Sequence, residues 1–221
     1  MIRKRKIQKS KYITVFAITT LIFIIGILLG NFFAEKKIDD VNRLGQDFRT
    51  DTMSLEVQYD LMAEQPCNST SETPLSEQLY ELATKLDYME NTLGEDDEDV
   101  IALKEYYGLL EIRHWMFSKK TKIECGHKKA LILYFYSNKK HCPECEEQGF
   151  ILTWLRRNYE NVLVYAFDYY IDNSAINTIK TIYGINNTPA VVINDEVYNK
   201  YMSKAELEEM MKQQNISLIM S

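Results

Sequence analysis

Charged side chains are missing from one long segment near the N-terminus. Residues 12–33 contain no Asp, Glu, Lys, Arg or His, and Ile, Leu, Phe and Val dominate the segment. At about 1.5 Å per residue, a helix of these 22 residues is roughly 33 Å long, which is enough to cross the ~30 Å hydrocarbon layer of a bilayer. The segment therefore predicts a transmembrane helix.

Three further absences bear on how this segment is used. Residues 1–33 carry six basic side chains and no acidic one, which predicts a cytoplasmic tail over residues 1–11 and a body on the outer side. Residues 31–34 lack the small-residue pattern of a cleavage site, so a retained anchor is favoured over a cleaved signal peptide. No cysteine follows the segment closely, which argues against a lipoprotein.

Positive charge is scarce in the rest of the chain. Residues 34–221 carry 20 basic and 32 acidic side chains, a net charge of −12. The formal net charge of the whole sequence is only −6, because the six basic residues lie in residues 1–33. An acidic body of this kind repels phosphate backbones, so a nucleic-acid partner is not expected.

Three segments after the anchor carry apolar side chains at alternating steps of three and four residues. The stripes run from Ile38 to Met62, from Leu75 to Leu93 and from Val100 to Phe117. Each stripe predicts a helix that must bury one face against partners. Because the connections between the stripes are short, we expect an antiparallel, up-down-up helical bundle over residues 34–125.

Two cysteines stand between a predicted strand and a predicted helix. Residues 130–137 are uncharged and rich in β-branched and aromatic side chains, which indicates a buried strand. Apolar residues from Phe150 onward recur at helical spacing and predict a helix that begins near Pro143. Cys142-Pro143-Glu144-Cys145 therefore opens a helix, where free N–H groups and the helix dipole favour a thiolate. This placement predicts a dithiol that can form and break a disulfide.

The order of predicted elements from residue 130 onward is strand, helix, strand, helix, strand, strand, helix. Thr188-Pro189 stands directly before the fifth of these elements, the apolar strand of residues 190–193. The Cys-x-x-Cys followed by this Thr-Pro resembles the thioredoxin superfamily over about residues 130–215. The resemblance implies an α/β, thioredoxin-like fold for residues 126–221. It also implies that Cys142 is the nucleophile, Cys145 the resolving thiol and Thr188-Pro189 a cis-proline loop that binds substrate.

Two residues beside the cysteines have alternative interpretations. His141, if protonated, would stabilise the Cys142 thiolate, or else it is an exposed loop histidine. Glu144 would raise the pKa of Cys142 by like-charge repulsion, or else it is a solvated carboxylate in the first helical turn. The strand at residues 130–137 lacks the buried acid that thioredoxins use as a proton acceptor, and in this the sequence departs from the thioredoxins.

The other two cysteines are predicted to meet. In an up-down-up bundle, Cys67 follows the distal end of the first helix and Cys125 follows the third helix at the same end. Thiols that meet outside the cytoplasm tend to oxidise, so a structural Cys67–Cys125 disulfide is the preferred hypothesis. The alternatives are a second redox pair that relays electrons to Cys142, and a zinc site of Cys125, His127, Cys142 and Cys145.

These features together predict a membrane-anchored, extracytoplasmic thiol-disulfide oxidoreductase. Protein thiols and disulfides are the expected substrates, a membrane redox partner is a further candidate, and neither a cofactor nor a metal is expected. Oxidase, reductase and isomerase directions all stay open, because reduction potential decides between them. The alternative hypothesis is a binding or assembly scaffold with a redox-inactive or zinc-bound thioredoxin-like domain.

Overall fold

The computed structural model describes residues 9–67, 73–137, 142–216 and 218–220. Contacts within the chain define two compact units, the first ending at Asp47 and the second beginning at Phe48. The elements, in chain order, are α1 (Lys9–Ala63), α2 (Thr73–Leu93), α3 (Glu98–Cys125), β1 (Ala130–Tyr136), α4 (Cys145–Asn158), β2 (Val162–Asp168), α5 (Ser174–Tyr183), β3 (Ala190–Ile193), β4 (Glu196–Tyr198) and α6 (Lys204–Gln213).

Helix α1 contains the predicted membrane span. Its segment Lys11–Phe32 is long and apolar enough to cross a bilayer, and none of that segment is buried within the protein. The prediction of an N-terminal helix suited to a membrane anchor is therefore confirmed. Helix α1 continues without a break through the charged residues 35–40, because Glu, Lys and Asp interrupt a helix far less than Gly or Pro does.

The second unit contains a four-stranded mixed sheet in the order β2-β1-β3-β4. Strand β1 pairs in parallel with β2, where Ala130 faces Val162, and antiparallel with β3, where Phe135 faces Ala190. A two-residue turn of Asn194 and Asp195, both with positive φ, joins β3 to β4, as such turns require in a hairpin. The predicted α/β class and the predicted order of elements from residue 130 are thus found in the structure.

Helices cover both faces of this sheet. One face buries Ile132 and Tyr134 of β1 against Leu152 and Leu155 of α4, and α6 packs into the same core. Alternate residues of a strand point to opposite faces, so Tyr165 of β2 points the other way. There it meets α3, where its hydroxyl lies 2.9 Å from His114 Nδ1 in a fully buried pair.

Helices α2, α3 and the part of α1 that belongs to the second unit form a bundle. Helix α2 runs antiparallel to α3, because Ser76 lies beside His114 at one end and Glu90 pairs with Lys104 at the other. Helix α1 likewise runs antiparallel to α2, because Gln58 contacts Gln78 and Asp51 contacts Lys85. Each fully buried apolar side chain in such a bundle contributes about 1.5–3 kcal/mol. The up-down-up arrangement of helices agrees with the sequence pattern.

Candidate functional site

The Cys142–Cys145 pair lies between the carboxyl end of β1 and the start of α4. The two sulfurs form a disulfide, with the Cα atoms 5.4 Å apart. Cys142 is 2% exposed and Cys145 is 5% exposed, so the oxidised site is closed to solvent. Helix α4 begins at Cys145, slightly later than the predicted start near Pro143, because residues 143–144 form a turn in which Cys145 N–H donates to Cys142 O at 3.2 Å.

The residue at the N-cap position of α4 provides no capping side chain. Glu144 occupies the N-cap position in a helical conformation, and its carboxylate makes no capping hydrogen bond. A Ser, Thr, Asp or Asn at this position normally accepts a hydrogen bond from one of the first helical N–H groups. In their absence, the positive end of the helix is available to an anion on Cys142, which is the form this cysteine takes when it attacks a disulfide.

Two buried polar residues attach this helix end to the rest of the fold. The Tyr134 hydroxyl donates to Cys145 O at 2.6 Å, and burial raises the pKa of Tyr134. The fully buried Gln148 accepts a hydrogen bond from Met202 N–H through Oε1 at 2.7 Å. Sequence reasoning missed both residues, although a polar side chain one turn into an apolar helix face was a usable signal for Gln148.

The Thr188-Pro189 segment lies at the same edge of the sheet as the cysteines. Its peptide bond is cis, Pro189 is buried, and Ala190 of β3 follows directly. Thr188 Oγ1 lies 3.0 Å from Ser137 Oγ, and Ser137 is the residue after β1. Ser137 lines the same cavity as Cys145, so Thr188 contacts a residue that shares a cavity with the disulfide.

The remaining predicted site residues are placed as follows. His141 lies outside the described residues. Glu144 is exposed beside the disulfide. Cys67 and Cys125, 58 residues apart in sequence, form a second disulfide with a Cα–Cα distance of 5.5 Å. Closing a loop of that length stabilises a fold by about 4 kcal/mol in the chain-entropy description.

The four residues of the alternative zinc site are not gathered into one cluster. Cys125 is bonded to Cys67 and Cys142 to Cys145, which divides the candidate ligands between two disulfides. Within the described ranges, no group of three or more His, Cys, Asp or Glu side chains is arranged to hold a metal ion.

Comparison with known proteins found no family model and no curated protein that matches this chain. The class of site is therefore defined by its own geometry. It is a Cys-x-x-Cys disulfide at the N-terminus of a helix, on a mixed α/β sheet whose strand β3 follows the cis Thr-Pro segment and which is connected to a helical bundle.

Proposed function

We propose that this chain is a membrane-anchored thiol-disulfide oxidoreductase with a thioredoxin-like domain, which exchanges disulfides with protein substrates through Cys142 and Cys145. The observation that carries the proposal is the disulfide itself, because its cysteines lie three residues apart at a helix N-terminus whose N-cap residue, Glu144, makes no capping hydrogen bond. The neighbouring Thr188-Pro189 segment supports it, since an extended substrate beside that segment would be held near the sulfurs.

The exchange conserves sulfur bonds and electrons. In the reducing direction, the Cys142 thiolate attacks a substrate disulfide, forms a mixed disulfide and releases one substrate thiolate. Cys145, deprotonated, then attacks the Cys142 sulfur and releases the second substrate thiolate, so the substrate gains two electrons while the Cys142–Cys145 disulfide forms. The oxidising direction is the reverse. The relative reduction potentials of the two couples set the net direction.

The chain's own residues assist each step. First-turn N–H groups of α4 would stabilise the Cys142 thiolate both as nucleophile and as leaving group. The hydrogen bond from Tyr134 to Cys145 O holds the first helical turn against β1 while the sulfurs change partners. Because both sulfurs are buried in the oxidised form, attack by a protein thiolate requires local opening around Cys142.

The proposed location is the outer side of a membrane, with the basic N-terminal residues in the cytoplasm. The apolar Lys11–Phe32 segment supports the anchor, and the positive-inside rule supports the orientation. The Cys67–Cys125 disulfide is in keeping with this side, because such bonds persist in oxidising compartments.

A trapping experiment tests the proposed function. The Cys145→Ser variant should accumulate mixed disulfides through Cys142, since the thiol that resolves them is gone. The matched control is the Cys142→Ser/Cys145→Ser double variant, which should trap nothing. Equal amounts of disulfide-linked partner in the two variants, measured by non-reducing electrophoresis and mass spectrometry, would refute the proposal.

A binding or assembly scaffold is the second candidate, and the burial of both sulfurs favours it. In a scaffold, the Cys142–Cys145 disulfide would serve only to fix the start of α4. The discriminating result is the behaviour of the native protein toward mild reductant, because a purely structural bond this well buried should stay oxidised until the fold opens.

A further inference from the structure

A cavity of about 480 Å³ lies among helices α2 to α5 and the β1 and β2 strands. This volume falls within the range of small-molecule sites. Aromatic side chains contribute to its wall, among them Tyr107, Tyr134 and Tyr136. Cys145 also lines it.

The charges around the cavity are mostly negative. Five carboxylates line it against a single lysine, Lys104. That ammonium is already engaged, since Lys104 Nζ lies 2.5 Å from Glu90 Oε1 and 3.8 Å from Asp168 Oδ2, and its side chain is only 8% exposed. Among the described residues that line the cavity, no cation is therefore left free for an anionic ligand.

One carboxylate in the lining is buried and only half satisfied. Glu111 of α3 is 2% exposed, and its Oε1 accepts a hydrogen bond from Ala166 N–H at 2.9 Å on the outer edge of β2. By hydrogen-bond geometry its Oε2 is buried and without a partner among the described residues, although the nearby Tyr107 hydroxyl lowers the pKa of Glu111 by hydrogen bonding. A buried acceptor without a well-formed hydrogen bond has lost its hydration, and a bound donor restores a partner.

The chemistry of the lining selects an organic cation over a metal ion. No group of three or more potential metal ligands converges within the described ranges, so the carboxylates are too dispersed to coordinate one ion. Tyrosine faces and carboxylates together attract ammonium groups that carry an apolar stem. The size of the cavity leaves space for such a stem.

We propose that this cavity binds a small organic cation, whose ammonium donates to Glu111 Oε2 and whose apolar stem packs against the tyrosines. The cation has two sources with the same chemistry, a free amine or the lysine side chain of a polypeptide. The site stands independently of the proposed redox function, because binding needs neither cysteine in its thiol form.

Calorimetry on the oxidised full chain in detergent micelles tests the site, with phenethylammonium as the probe. The neutral isostere 2-phenylethanol and the anion 3-phenylpropionate are the matched controls. Phenethylammonium should bind at least about tenfold more tightly than either, because the charge-assisted hydrogen bond is lost in both controls. Equal affinity for the cation and the alcohol would overturn the proposal, as would no binding of the cation. N-acetyl-lysine methylamide separates the sources, since tighter binding of it than of phenethylammonium indicates a polypeptide side chain and weaker binding a free amine.

Two variants and one control variant locate the cation. Glu111→Gln keeps an acceptor for Ala166 N–H but loses the charge, and it should weaken phenethylammonium binding about tenfold or more. Glu124→Gln, at an exposed position of the same helix, should leave binding unchanged. Gly149→Leu fills the cavity from α4, where an added Cβ lies 3.9 Å from Tyr134 Cε1 without a clash, and it should abolish binding even if Glu111→Gln fails to fold. Unchanged affinity in Gly149→Leu would place the cation elsewhere and contradict the proposal.

Proton linkage gives an additional readout. Burial raises the pKa of Glu111 well above its ordinary value, and a bound cation would lower it again. Affinity should therefore increase with pH, with net proton release on binding seen as a dependence of the heat on buffer ionisation. The other titratable groups around Glu111 are Tyr107 and Lys104 of α3, Glu90 of α2, Tyr136 of β1, Asp168 of β2 and Arg156 of α4. Proton uptake on binding would contradict the assignment to Glu111.

Discussion

The Cys67–Cys125 and Cys142–Cys145 disulfides join cysteines 58 and three residues apart in the sequence. In the chain-entropy description the longer loop stabilises the fold by about 4 kcal/mol and the shorter by about 2 kcal/mol. Cys67 is exposed and follows α1, whereas Cys142 is buried against the start of α4. The same covalent bond thus joins distant parts of the chain in one region and closes a short loop in the other, and the proposed function makes the short one exchangeable.

Activity gives the largest expected difference between the two regions. Cys142→Ser should reduce the catalysed reduction of insulin by dithiothreitol to the uncatalysed rate, because the attacking thiolate is lost. The Cys67→Ser/Cys125→Ser variant should keep most of the activity at a temperature where it is folded. A loss of activity as complete in the second variant as in the first would show that the long-range pair is a redox relay.

For the free energy of unfolding, the Cys67–Cys125 disulfide should matter more than the Cys142–Cys145 disulfide. Removing the Cys67–Cys125 bond by the double serine substitution should lower the free energy of unfolding by about 4 kcal/mol, since the unfolded chain gains the freedom of the longer loop. The Cys142→Ser/Cys145→Ser variant should lose about half as much. Denaturant unfolding of the full chain in detergent, followed by circular dichroism, measures both. A greater loss from the short pair would contradict the division of roles.

A single buried hydrogen bond tests how firmly the exchangeable region is held. Gln148→Ala removes the acceptor of Met202 N–H and leaves a buried donor without a partner, which should cost about 2 kcal/mol. The control is Gln213→Ala at an exposed position near the end of α6, which should change stability by about 0.5 kcal/mol or less. Equal effects of the two variants would mean that this attachment of α4 contributes nothing.

The smallest effect is expected from a partly exposed charge cluster near the end of α3 that carries Cys125. Burial raises the pKa of Asp195, but hydrogen bonds from Lys119 and Tyr183 outweigh it and hold that pKa below its ordinary value. A carboxyl group whose pKa is lower in the folded state than in the unfolded state stabilises the fold when it is ionised. That stabilisation is complete above the unfolded-state pKa and is lost as pH falls through the folded-state pKa. Melting temperatures of the parent and Asp195→Asn should therefore converge as the pH falls below about 4. A constant difference down to low pH would rule out this linkage.

Local signals in the sequence predicted much of the fold. The apolar stripes of the bundle helices and the uncharged strand predicted at residues 130–137 each depend on residues close in sequence, and each is found in the structure. The sequence predicted a membrane span and a separate bundle helix after it. The structure has one continuous helix, α1, in their place.

The candidate site was only partly predictable, for a physical reason. The Cys-x-x-Cys and the Thr-Pro are short motifs that carry their own chemistry. By contrast, Glu111 comes from α3 and meets Ala166, 55 residues later, so only the tertiary packing shows that a buried acid borders the cavity beside Cys145. The sequence correctly indicates that β1 contains no buried acid, but it does not indicate that the neighbouring helix α3 contributes one.

Graded reduction of the native protein tests the central claim most directly. The full chain in detergent is equilibrated with increasing ratios of reduced to oxidised glutathione, quenched with an alkylating reagent and mapped by mass spectrometry. If the Cys142–Cys145 disulfide is exchangeable and the Cys67–Cys125 disulfide is structural, Cys142 and Cys145 become alkylated while Cys67 and Cys125 stay joined in the folded protein. Persistence of the Cys142–Cys145 bond until the protein unfolds, or its reduction only together with the Cys67–Cys125 bond, would contradict the account.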